Sequence, residues 1–187
     1  GIIGAGQLGQ MLGFAARDLG MQCQFVDPSP NPPAAECGPV IQAAFDDPIA
    51  LATLADNCDV VTYEFENVPV EALRVIVDRV DVYPPPDALR HAQDRLLEKH
   101  LFDHLNIPLP AYQRVDTLAD LQIAADKIGL PLVLKTRRLG YDGKGQFVVK
   151  THSDIAEAWD ELCGAELIAE AWVNFDFENE FANFLTK

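Results

Sequence analysis

Four stretches of this 187-residue sequence carry residue types whose spacing suits work on anions. The first, Gly4-Ala5-Gly6-Gln7-Leu8-Gly9, is a GxGxxG between the apolar pair Ile2-Ile3 and a helical pattern. Glycines at such a point permit a tight turn and let an anion approach backbone N–H groups at a helix start. Asp27 ends the next β-rich run, where a dinucleotide fold places its ribose-binding acid. By itself this pair points to a nicotinamide or flavin cofactor, or to a turn required only by packing. The second stretch, Lys135-Thr136-Arg137-Arg138-Leu139-Gly140-Tyr141-Asp142-Gly143-Lys144-Gly145, places a lysine near the end of an apolar strand, before a glycine-rich loop. Such a loop can fold over a polyphosphate while lysines supply point charges. The plainer alternative is a flexible basic hairpin. Against it, the chain has 14 Lys and Arg residues in all, and Lys135, Arg137, Arg138, Lys144 and Lys150 crowd into one short segment. No Gly-Lys-Ser/Thr opens a helix here, so this is not a Walker A loop.

The third stretch is Asp94-Arg95-Leu96-Leu97-Glu98-Lys99, with Arg95 and Lys99 four apart on one helical face. Alone it reads as a solvated face. The fourth, Tyr63-Glu64-Phe65-Glu66-Asn67, puts two acids at the carboxyl end of a strand, where open parallel sheets hold ligands and where polar strand ends are also common.

Those residues need elements to position them. Leu8, Met11, Leu12, Ala15, Ala16 and Leu19 recur as the apolar stripe of a helix that Gly20 ends. Strands are expected over residues 22–27, 40–44, 60–65 and 80–83, with helices over 48–57 and 69–79. This alternation implies a parallel sheet with helices on both faces. Pro84-Pro85-Pro86 marks a boundary between residues 1–86 and 87–187. A polar helical segment follows over 87–105. Then come strands over 111–115, 132–136, 147–150 and 167–173, and helices over 117–128 and from an N-cap at Ser153 to residue 162. Adjacent strands joined by a tight loop suggest an α+β second domain.

Composition narrows the classes. A net charge of −15 repels phosphate backbones and anionic lipid, so neither nucleic acid nor membrane is an expected partner. A nucleotide is still compatible, because a pocket needs only a few local cations. Cys23, Cys37, Cys58 and Cys163 lack metal or disulfide spacing and read as reduced thiols. No membrane-length apolar run or signal peptide is read, so a cytoplasmic setting is expected. Gly1 begins inside a strand pattern, and residues are expected before it.

Taken in order, these motifs resemble the ATP-grasp superfamily, most closely the 5-(carboxyamino)imidazole ribonucleotide synthetase family. Gly6-Gln7-Leu8-Gly9-Gln10-Met11-Leu12 is similar to that family's opening, and Gly140-Tyr141-Asp142-Gly143-Lys144-Gly145-Gln146 to its phosphate-covering loop. The resemblance covers roughly residues 1–178. It implies an α/β fold: a Rossmann-like pre-ATP-grasp domain with a parallel sheet over 1–86, then part of an α+β ATP-grasp domain over 87–187. It implies an ADP-forming ligase of purine biosynthesis that uses ATP, Mg2+ and bicarbonate to carboxylate aminoimidazole ribonucleotide through carboxyphosphate, in a homodimer.

Site residues follow from the same resemblance. Arg95 and Lys135 would contact the ATP phosphates, and Gly140, Tyr141, Asp142, Gly143, Lys144, Gly145 and Gln146 would close on them. Asp142 and Lys135 would serve the reacting centre. Glu170, Ala171, Trp172 and Val173 would form the strand whose backbone reads adenine, and Glu178 would accept from the ribose hydroxyls. Gly6, Gln7, Leu8, Glu64 and Glu66 would face aminoimidazole ribonucleotide, with the glycine turn binding part of it. After Glu178 the sequence departs from the family pattern. The family's later Asn-Glu pair binds magnesium, which implies Glu180 as a metal ligand. The rivals are another ATP-grasp carboxylate-amine ligase, a nicotinamide-dependent oxidoreductase resting on GxGxxG and Asp27, and a nucleotide-binding module without chemistry.

Overall fold

Short β-branched runs, each followed by a helical stretch, favour parallel pairing, because a strand returns in the same direction only through a crossover. In the computed structural model these runs form β1 (Ile2–Ile3), β2 (Phe25–Asp27), β3 (Val40–Gln42), β4 (Val60–Tyr63) and β5 (Asp81–Val82). All four pairings are parallel, in the order β3-β2-β1-β4-β5. The structure describes residues 1–140 and 144–174. The chain divides into two units, Gly1–Leu101 and Phe102–Lys187.

In the first unit, strand alternation sends Ile2 into a small core with Phe25 and Ala34, and Ile3 into a larger one with Leu51, Leu54, Val61 and Leu73. Helix α1 (Gln7–Asp18) follows β1, and α2 (Pro48–Asn57) follows β3. Asp47 caps α2 by accepting from the N–H groups of Ile49 and Ala50, with Pro48 at the first helical position. The stretch expected to be helical to residue 79 keeps helix only in α3 (Val70–Arg74) and continues as turns. Its β-branched run Val75-Ile76-Val77 disfavours helix.

The single helix expected over 87–105 is two, α4 (Pro86–Ala92) and α5 (Arg95–His104). Asp94 starts the second. Its carboxylate accepts from the Leu96 N–H at 3.0 Å, its carbonyl accepts from the Glu98 N–H at 2.9 Å, and it is only 1% exposed. The break anticipated after Pro86 falls within the first unit, because Leu89 of α4 is buried in the same core as Ile3 and Leu73.

The second unit is an antiparallel sheet in the order β6-β9-β7-β8, from β6 (Tyr112–Val115), β7 (Leu132–Thr136), β8 (Gln146–Val149) and β9 (Leu167–Ala171). Helices α6 (Leu118–Ile128) and α7 (Ile155–Leu162) share one core with Leu132, Leu134, Val149, Leu167 and Ala169. Strand alternation therefore sends Val133, Lys135, Val148, Ile168 and Glu170 to the opposite face. Thr117 and Asp120 form a capping box on α6. A second box pairs Thr151 with Asp154 ahead of α7, so Ser153 is not the cap expected of it. Among the described residues no helix is long and apolar enough to cross a membrane.

Candidate functional site

The strand order reverses at β1, which pairs with β2 on one side and β4 on the other. Ligands of open α/β sheets gather at the carboxyl ends of strands at such a switch. β1 runs into the glycine turn and α1; β4 runs into Glu64. The Glu64 N–H donates to the Ile3 carbonyl at 3.1 Å, which prolongs the pairing by one residue and carries the Glu64 side chain over the turn. There Glu64 accepts from the Gly6 N–H at 3.1 Å through Oε1 and from the Gly9 N–H through Oε2. Gly4 has φ +100°, and a Cβ on it would stand 2.4 Å from Glu64 Cγ. On Gly9 a Cβ would stand 2.7 Å from the Gly4 carbonyl oxygen and 2.8 Å from Glu64 Oε2.

Asp27 completes the turn. Its Oδ2 accepts from the Ala5 N–H and its Oδ1 from the Ser29 N–H, both at 2.8 Å, and it is 6% exposed. An acid buried against backbone donors is a poor presenter of carboxylate to a ribose, which weakens the dinucleotide reading. The donors that a phosphate would need at Gly6 and Gly9 are likewise held by Glu64. Gln7 and Leu8 stand exposed at the start of α1. Glu66, two residues from Glu64, diverges from it: its Oε1 accepts from Asn67 Nδ2 at 3.2 Å, and its carbonyl from Gln93 Nε2 at 2.6 Å.

In the second unit, Lys135 Nζ lies 3.0 Å from Glu170 Oε2. Lys135 sits opposite Ile168 and Glu170 opposite Val133, so the pair is diagonal across β7 and β9 on the face away from α6 and α7. The carboxylate is the more buried partner, with 10% side-chain exposure against 26% for the lysine. Arg137, counted above among the cations of an anion site, is buried and bridges Glu166 Oε1 at 2.9 Å. The backbone N–H of Ala171 is spent on the Ala111 carbonyl at 2.8 Å and that of Trp172 on Pro131 at 3.4 Å. Pro131, Val148, Lys150 and Trp172 line an open groove of about 290 Å³.

Gly140 is half-buried, while Lys144 and Gln146 are exposed; Gly145 accepts the Thr136 N–H at 2.8 Å as β8 begins. Val173 is exposed just past β9. Arg95 is the first residue of α5 and belongs to the first unit. Tyr141, Asp142, Gly143, Glu178 and Glu180 lie outside the described residues. Sequence reasoning missed Asp94 as a buried cap and Glu166 as a partner. An Asp directly before a helix is a capping signal, whereas nothing local marks a cross-strand partner.

Residues 1–93 match the model of the ribonucleotide synthetase preATP-grasp domain, and residues 100–182 that of the ATP-grasp domain. The N5-carboxyaminoimidazole ribonucleotide synthase of Pseudomonas aeruginosa is 48% identical over 178 residues, covering 95% of this chain and 49% of that protein. The crystal structure of N5-carboxyaminoimidazole ribonucleotide synthetase from Thermus thermophilus superposes with TM-score 0.86 at 45% identity, over 94% of this chain and 47% of that one. The synthase from Aspergillus clavatus, solved with ADP and 5-aminoimidazole ribonucleotide, superposes with TM-score 0.83 at 31% identity, over 94% and 46%. The chain spans about half the length of the curated relatives it matches.

Proposed function

We propose, because the chain belongs to the N5-carboxyaminoimidazole ribonucleotide synthase family, that this protein takes part in the ATP-dependent carboxylation of aminoimidazole ribonucleotide by bicarbonate. The observation that carries the reading is Lys135, held by Glu170 on the face of an ATP-grasp sheet turned away from α6 and α7. A lysine there meets a polyphosphate as a point charge, and Glu170 keeps it extended until the nucleotide arrives. Arg95, Lys144 and the 140–146 loop complete the phosphate contacts in this proposal. Trp172 and Val173 border the base, Glu178 receives the ribose, and Gln7, Leu8, Glu64 and Glu66 face the ribonucleotide.

The chemistry proposed has two steps. A bicarbonate oxygen attacks the γ-phosphorus of ATP, giving carboxyphosphate and ADP. Lys135 offsets negative charge on the transferring group, and Asp142 lies near the reacting centre. The exocyclic amine of the ribonucleotide then attacks the carboxyl carbon, phosphate leaves, and the amine loses a proton. Exclusion of water matters most, since a mixed anhydride hydrolyses readily. Magnesium would accompany the nucleotide with Glu180 as a ligand. Among the described residues no group of three His, Cys, Asp or Glu could hold a metal. A cytoplasmic homodimer belongs to the same proposal.

The test is ADP release by the full-length protein with ATP and bicarbonate. Release is expected to be slow until aminoimidazole ribonucleotide is added, then to match its carboxylation mole for mole. A protein indifferent to the ribonucleotide, but binding NAD tightly in calorimetry, would favour the oxidoreductase reading instead.

A further inference from the structure

The turn over residues 4–9 has the sequence of a phosphate cradle, yet it is filled from within. Glu64 accepts from the N–H groups of Gly6, at 3.1 Å, and Gly9, while Asp27 accepts from that of Ala5 at 2.8 Å. Two carboxylates thus hold three N–H groups at the start of a 12-residue helix. Gly6, the N-cap of α1, makes no side-chain bond of its own, so Glu64 supplies the negative group that a helix start favours. The fit is close. A Cβ on Gly4, Gly6 or Gly9 would come within 3.0 Å of a Glu64 side-chain atom. These glycines are shaped around Glu64, where in a dinucleotide fold the same residues are shaped around a pyrophosphate.

We propose that Glu64 is a built-in anion that closes this turn to phosphates, and so determines which ligands the first unit accepts. A phosphate entering the turn has to displace Glu64 while meeting the like charge of two carboxylates. Glu64 is tethered by its own chain, so its effective concentration at the turn exceeds that of any free competitor. A ligand of the first unit therefore meets the turn through uncharged groups and keeps its phosphate elsewhere. Dinucleotides, whose pyrophosphate belongs in the turn, are rejected. Glu64 acts here as a positioning residue for the turn. The proposal stands on the geometry of the first unit and needs no assumption about the reaction.

The test uses full-length protein with glycine-selective 15N labelling and inorganic phosphate as the probe. In the wild type, the Gly6 and Gly9 amide resonances are expected to show no saturable response. In Glu64→Ala both are expected to shift saturably, and phosphate is expected to raise the melting temperature of that variant alone. Saturable shifts at Gly6 and Gly9 in the wild type, or none in a folded Glu64→Ala, would overturn the proposal. Should Glu64→Ala not fold, Glu64→Gln carries the test. Its amide group has one oxygen fewer to accept with, so faster hydrogen exchange is expected at Gly6 or Gly9. Unchanged exchange at both would overturn the proposal. No outcome reads ATP turnover, so failure here leaves the ligase reading standing.

Discussion

Lys135 and Glu170 depend on each other in a way that separates binding from folding. A charge-assisted contact is worth about 1.5–3 kcal/mol, so Lys135→Ala is expected to weaken ATP binding about 10- to 150-fold at 1.4 kcal/mol per decade. The same change removes one partner of Glu170, which is 7% exposed. Chemical denaturation is expected to show a loss of about 1.5–3 kcal/mol for the charge-assisted bond removed from that carboxylate. Adding Glu170→Ala should restore none of the ATP affinity. Full recovery of ATP binding in the double variant would remove Lys135 from the phosphate contacts. Asp27 gives the converse case. Its carboxylate holds Ala5 and Ser29, so Asp27→Ala is expected to cost on the order of 2 kcal/mol of stability. If the ligase reading holds, that variant keeps its activity wherever it stays folded.

Helix α1 shows how an element can be legible while its orientation is not. The stripe of Leu8, Met11, Leu12 and Leu19 announces a helix, yet those side chains are exposed, Met11 by 65%, and the buried residues of α1 are Gly9 and Gly13. The helix lies on its glycines because only they admit the close approach to Gly4 and Glu64 at one turn and to Cys37 at the next. Gly9→Ala is therefore expected to cost about 1–3 kcal/mol, as overpacking does. Met11→Ala is expected to stay within about 0.5 kcal/mol, as surface changes do. The reverse ranking in denaturant titrations would put the apolar stripe, not the glycines, against the fold. The capping boxes carry a pH signature. Asp120 is held below the ordinary aspartate range chiefly by the Thr117 hydroxyl, and Asp154 chiefly by the Thr151 N–H. Each carboxylate binds protons less readily folded than unfolded, so its contribution is full above the unfolded value and fades as pH falls through the folded one. Melting temperatures below about pH 4 are expected to fall less steeply in Asp120→Asn and Asp154→Asn than in the wild type.

At the scale of the molecule, two units of different grammar share one chain. A parallel sheet presents a switch point with a turn closed by carboxylates, and an antiparallel sheet presents Lys135 beside Glu170. Neither site by itself would account for the proposed carboxylation. If both serve one reaction, Arg95→Ala and Asp142→Asn in the full-length protein are expected to lower ribonucleotide-dependent ADP formation by at least tenfold, while leaving the melting temperature within a few degrees of the wild type. Wild-type coupling in both variants would take these two residues out of the site.

The sequence by itself determined the order of strands and helices, the parallel character of the first sheet, and the residues to watch. Periodicity and glycine placement are local signals, and local signals survive in one dimension. β7 was placed over residues 132–136 and α2 over residues 48–57, where the structure has them. Only the tertiary structure decided who partners whom. Glu64 meets Gly9 across 55 residues, Asp27 meets Ala5 across 22, and Lys135 meets Glu170 across 35. A charge pattern records that acids and bases are present, but which acid reaches which donor depends on strand order and register. That is why the glycine motif by itself reads as a dinucleotide cradle, although in the fold β4 lies beside β1 with Glu64 at its end.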